Sequence, residues 1–180
     1  DETKRVRDLI RELIKRDEES VRRSARTLEE LIRRLEESVK RSKKLVEDVI
    51  RKLKKLVKDG VDSDDIRKLV RDVERVVRKV VEENRRLVET VAREVERVHK
   101  ENEDTSEEVR RTVKELVDEV RTEEAKKLLE DVEEAVERSK RKSRKLLEDA
   151  RRALEKVKRD SDKLLEDVRE EVERVLRTVK

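Results

Sequence analysis

One apolar pattern returns to the same phase every eighteen residues, and that period limits what the chain can become. The blocks VRDLIRELIKRDEESVRR (6–23), SARTLEELIRRLEESVKR (24–41) and SKKLVEDVIRKLKKLVKD (42–59) bring Leu13, Leu31 and Val49 into register, with Ile14, Ile32 and Ile50 beside them. Eighteen residues make five turns at about 3.6 residues per turn, so the stripe stays on one face of a straight helix. A seven-residue repeat would instead wind the helices into a left-handed supercoil. A second family of blocks starts at Ile66 and aligns Val73, Val91 and Val109, and a third starts at Leu128 with the recurring phrase LLED at 128, 146 and 164.

The stretch HKENEDTSEE (99–108) reads at first as a loop, yet the stripe of the second family passes through it without a slip. His99, Asn102, Thr105 and Ser106 are therefore expected on core-facing helical positions. The phase does slip between Val120 and Ala125, by about one residue or roughly 100° around a helix. The chain is expected to break at 121–124, and again around Gly60, its single glycine and a natural left-handed helix end.

These signals predict an all-α fold of three helices, about 3–58, 63–120 and 123–180, with Asp62 or Ser63 capping the second and Thr122 starting the third. Each is about 87 Å long at 1.5 Å per residue. The turns are short, so neighbours run antiparallel. The expectation is an elongated up-down-up three-helix bundle of nearly straight helices, one domain over 1–180.

Composition closes off other classes. With 57% charged residues the chain invites a reading as disordered, but 53 Lys+Arg against 49 Asp+Glu leave only +4, and the apolar residues are strictly periodic. Order is the better expectation. Opposite charges alternate along the chain and there is no aromatic residue to stack on a base, which argues against specific nucleic-acid binding. The sequence has no cysteine, no run of about 18 apolar residues and no signal peptide, which argues against a disulfide framework, a membrane span and targeting. A soluble protein is expected, and a start at Asp1 without Met suggests a removed tag or leader, or an incomplete chain.

Antiparallel packing makes a checkable demand on the polar residues of the stripes. Facing residues should carry numbers that total about 121 across helices 1 and 2, and about 243 across helices 2 and 3. Asn102 then meets Asp17, Ser20 and Ser24 on one side and Ser139 and Ser143 on the other; Asn84 meets Ser38, Ser42 and Ser161. Two polar layers are expected. The larger holds Asp17, Ser20, Ser24, His99, Asn102, Thr105, Ser106, Ser139 and Ser143, and the smaller holds Ser38, Ser42, Asn84 and Ser161. Buried polar groups cost free energy unless paired, so such layers would penalise any sliding of one helix along another.

The eighteen-residue repeats, the Glu/Lys/Arg surface, the missing aromatics and the co-located polar residues resemble de novo designed, parametrically generated single-chain three-helix bundles with buried hydrogen-bond networks. The second turn departs from that pattern in lacking glycine. The resemblance implies a recombinant structural scaffold with no natural activity and no cofactor. The larger layer does contain Ser, His and Asp, the inventory of a nucleophilic triad, but mid-helix N–H groups are committed to the helix and supply no oxyanion hole. His99 is the only imidazole and there is no cysteine, so a zinc site is not expected. Three stripes that close on one another imply a monomer; the alternatives are a homo-oligomer, or an interaction module that receives a designed partner helix.

Overall fold

A computed structural model describes residues 2–179. They form three helices, α1 (Glu2–Lys58), α2 (Ser63–Val120) and α3 (Glu123–Thr178), in an up-down-up three-helix bundle with no strand among the described residues. The expected end of the third helix at Lys180 lies outside the described residues. None of these helices is long and apolar enough to cross a membrane.

The bundle divides into two compact units, and each takes one stretch from every helix. One comprises Asp1–Glu30 and Arg93–Arg151, the other Leu31–Ala92 and Arg152–Lys180. In the first, Val6 and Ile10 of α1 pack with Val109, Val113 and Val117 of α2 and Val132 and Val136 of α3. In the second, Val46, Ile50 and Leu53 pack with Ile66, Val70 and Val77 and with Leu164, Val168 and Val172. Valine is a poor helix former, at up to about 0.7 kcal/mol per residue below alanine, but its burial contributes roughly 1.5–3 kcal/mol. Packing wins, and valine-rich α2 is held as a helix by its neighbours.

The two turns solve the same problem with different residues. Leaving α1, Gly60 adopts φ 80, its N–H bonds to the Val57 carbonyl at 3.2 Å, and the Val61 N–H reaches back to the Leu56 carbonyl at 3.2 Å. This pair of bonds is the Schellman closure, which satisfies carbonyls that the helix end leaves open. Ile66 N–H then donates to the Asp62 carbonyl at 3.0 Å, which makes Asp62 the capping position of α2. At the second turn Arg121 takes the left-handed conformation, φ 54, in place of a glycine. Thr122 follows as the cap of α3: its Oγ1 accepts from the Ala125 N–H at 3.2 Å and its carbonyl from Lys126 N–H at 3.2 Å. Two residues suffice where the phase argument allowed four.

Candidate functional site

The polar residues of the helix stripes gather as hydrogen-bonded sets, beginning with Asn84 in the second unit. Asn84 is buried on α2, and its Nδ2 donates to Ser161 Oγ of α3 at 3.2 Å and to Ser42 Oγ of α1 at 3.5 Å. Ser42 Oγ–H in turn donates to the Ser38 carbonyl at 2.9 Å, so Ser38 takes part through its backbone. One amide thus touches both other helices. At the rim of this set Arg85 Nε donates to Asp162 Oδ1 at 2.9 Å, tying α2 to α3 a second time.

The first unit holds three separate sets where the sequence suggests one layer. Asp17, a buried carboxyl group of α1, accepts from Ser106 Oγ at 2.8 Å. Asn102 Oδ1 accepts from Ser20 Oγ at 3.2 Å and from Ser24 Oγ at 3.1 Å, while Ser24 also lies 2.9 Å from the Ser20 carbonyl. His99 Nδ1 stands 2.9 Å from Ser143 Oγ of α3, and its Nε2 stands 3.0 Å from Glu103 Oε1 one turn further along α2. Asp17 is therefore bound to Ser106 and not to His99. Thr105 and Ser139 join none of these sets, although Ser139 is buried. Ser20, Ser24, Ser38, Ser42, His99 and Thr105 are half-buried, at the edges of the core and not at its centre.

The Asn84 and Asn102 sets are copies one repeat apart: Ser38, Ser42 and Ser161 stand eighteen residues from Ser20, Ser24 and Ser143. The copy is imperfect for a chemical reason. In the second unit the α3 serine receives an amide proton from asparagine, whereas in the first unit the corresponding Ser143 is occupied by His99, at a position where the previous repeat carries Val81. An imidazole with its proton on Nε2 satisfies both contacts, donating to Glu103 and accepting from Ser143. Contacting pairs run about two residues above the totals expected from backbone levels, because side chains lean toward the N-terminus of their own helix.

Ser143, His99 and Glu103 reproduce the order of an acyl-transfer triad, which the sequence inventory of Ser, His and Asp did not single out. Glu103 lies outside the apolar stripe, and only its spacing of four from His99 could have signalled it. The arrangement has no oxyanion donors, since Ser143 lies inside α3, where the backbone N–H groups bond within the helix. Ser143 is itself buried, so a substrate carbonyl has no approach to its hydroxyl. Among the described residues no group of three His, Cys, Asp or Glu side chains could hold a metal ion.

Ion pairs lace the surface around these sets. Lys140 pairs with Glu107, Arg151 with Glu96 and Arg110 with Glu133 between α2 and α3; Arg7 with Glu124 and Lys54 with Glu171 join α1 to α3. Lys140 holds the Glu107 carboxyl below the usual carboxylate range, and Lys54 does the same to Glu171, whose buried Oε2 sits 2.8 Å from the ammonium. Each of these interhelical pairs has α3 as a member.

Compared with known proteins, the chain matches no family model and no curated protein. Among solved structures it is similar to a computationally designed three helix bundle, with a TM-score of 0.51 and 15% identity over 98% of this chain and 94% of the other. The fold is that of a three-helix bundle. At this identity the likeness is one of architecture, and the side-chain sets above are read from this chain alone.

Proposed function

We propose that the chain is a designed structural scaffold without a natural biochemical activity, in which the buried asparagine and serine sets specify how the helices align. The observation that carries this reading is Asn84, whose amide donates to serines on both other helices. A sliding helix would move the amide away from both acceptors and leave buried polar atoms unpaired, at about 1–3 kcal/mol each. Uniform stripes of valine and leucine resist sliding far less, because a one-repeat shift returns apolar residue to apolar residue. The second asparagine penalises even that shift: with Asn84 moved to Ser20 and Ser24, Asn102 would fall at Glu2 and Val6 of α1, where no serine pairs with it. The absence of oxyanion donors around Ser143 favours a structural role for His99 over a catalytic one.

The test replaces both sets by apolar residues and reads the register directly. Cysteine pairs on α1 and α2, placed level in the native alignment or one turn out of it, should cross-link only when level in the parent chain. In a variant carrying Ser20→Ala, Ser24→Ala, Asn102→Val, Ser42→Ala, Asn84→Val and Ser161→Ala the out-of-level pairs should cross-link as well. Unchanged cross-linking would remove the register role.

A further inference from the structure

All five exposed large apolar residues of the described chain lie on α1 or α2: Leu9 (41%), Leu45 (52%), Leu69 (38%), Val76 (51%) and Leu87 (46%). Four of them belong to the second unit, and they share one seam. Going around α1, Leu45 lies past half-buried Val49 on the side that carries Ser38 and Ser42 toward α2. Around α2, Leu69, Val76 and Leu87 lie past half-buried Val73 and Val80 on the side turned toward α1. The apolar sectors of both helices thus run beyond what their mutual contact covers. The seams with α3 are different, for there the sectors end at ion pairs such as Lys54 with Glu171 and Arg85 with Asp162.

The charges bordering this seam are sorted by helix. A residue four positions before another sits about 40° further around the helix, here on the outer side. On α1 those positions hold Arg41 before Leu45 and Lys52 before Leu56; on α2 they hold Asp65 before Leu69, Asp72 before Val76 and Glu83 before Leu87. One border is basic and the other acidic. Arg41, Lys52, Asp65 and Glu83 take part in no ion pair among the described residues, and Asp72 pairs only within its own helix, with Arg75. The contacts of Asn84 with Ser42 and of Asn102 with Ser20 fix the levels of the two helices, and by that scale Arg41 stands level with Glu83 and Lys52 with Asp72.

We infer that the α1/α2 seam of the second unit is an interface for a second copy of this chain, paired about a two-fold axis parallel to the helices. That axis lays α1 of one copy over α2 of the other, antiparallel and at the same height. The basic border then meets the partner copy's acidic border, while Leu45 and Val76 meet their counterparts in a shared apolar centre. A two-fold axis across the helices would place basic border on basic border, so the charge pattern selects between the two. No other molecule is required, since the surface is complementary to itself.

Sedimentation equilibrium or light scattering tests this on the full chain, with far-UV circular dichroism to show that each variant stays helical. The parent should have twice the 21.6 kDa chain mass at micromolar concentration. Leu45→Glu with Val76→Glu, both at exposed positions, should return it to a single chain. Arg41→Glu with Lys52→Glu, and separately Asp72→Lys with Glu83→Lys, should each be monomeric alone, yet the two variants mixed should form a mixed dimer, because one now has two acidic borders and the other two basic ones. A parent that stays monomeric to 100-fold higher concentration overturns the inference; if it then binds a synthetic amphipathic helix, the seam belongs to a partner helix instead. A dimer indifferent to all these changes places the interface elsewhere and equally overturns it.

Discussion

Removing Asn84 alone should cost more than removing its whole set. In Asn84→Ala, the 3.2 Å bond to Ser161 is lost outright, together with the longer and weaker 3.5 Å bond to Ser42. Ser42 keeps its bond to the Ser38 carbonyl, so the orphan is Ser161, one of the most deeply buried polar residues of the chain. An unpaired buried hydroxyl costs about 1–3 kcal/mol, reduced where it can turn to the carbonyl four residues back on its own helix. The smaller side chain adds about 0.6 kcal/mol if some 25 Å³ stays empty. The sum is about 2 kcal/mol, or a fall of roughly 4–8 °C in the unfolding midpoint for a chain of this size. The triple change Ser42→Ala, Asn84→Val and Ser161→Ala leaves no orphan and should melt within about 1 kcal/mol of the parent, or above it. Guanidinium titrations followed by circular dichroism compare the three proteins. Equal midpoints for the single variant and the parent, or a triple variant as weak as the single one, would refute the argument that Asn84 is held by paired buried hydrogen bonds.

His99→Val should be neutral or stabilising by up to about 1 kcal/mol, since it copies Val81 of the previous repeat and leaves Ser143 to accept from the Asn102 amide as Ser161 does from Asn84; a clear loss in the same titration would mean that the imidazole contributes more than it displaces. Arg121→Gly should raise stability by about 1 kcal/mol, because the left-handed φ of 54 costs a side-chain-bearing residue what glycine does not pay, and an unchanged midpoint would contradict this. Lowered carboxylate values at Glu107 and Glu171 stabilise the fold above the ordinary carboxylate range, and that share is lost as pH falls through the lowered folded values. Stability measured from pH 7 down to pH 2 should therefore fall less steeply in Glu107→Gln with Glu171→Gln, by a modest amount because both pairs are partly exposed.

The partition into helices was legible because the period is strict: only a break could shift the stripe between Val120 and Ala125, and Gly60 marks the other break by its chemistry. The heights of the polar residues were legible for the same reason, since antiparallel helices convert residue numbers into levels. Choice of partner was not. Height places Asn102, His99 and Ser143 together but does not say that His99 takes the serine and leaves the amide facing α1. That choice depends on rotamers and on Glu103, which lies outside the stripe. The left-handed Arg121 was equally hidden, because arginine gives no signal for that conformation. So was the open edge at Leu45 and Val76, for a stripe's period reports its direction and not whether a neighbour is wide enough to cover it.

The relation between the Asn84 and Asn102 sets turns the chain into a ruler with a fixed unit. Five whole turns separate equivalent side chains, so one further eighteen-residue block inserted at matching levels of α1, α2 and α3 lengthens each helix by about 27 Å and returns every later side chain to its former angle. Carrying Ser, Ser, Asn and Ser in the inserted blocks would add a third set of the Asn84 kind. Leaving them out would add plain valine and leucine. Length and the number of polar sets can thus be set independently in this chain, one block at a time, without redrawing either turn.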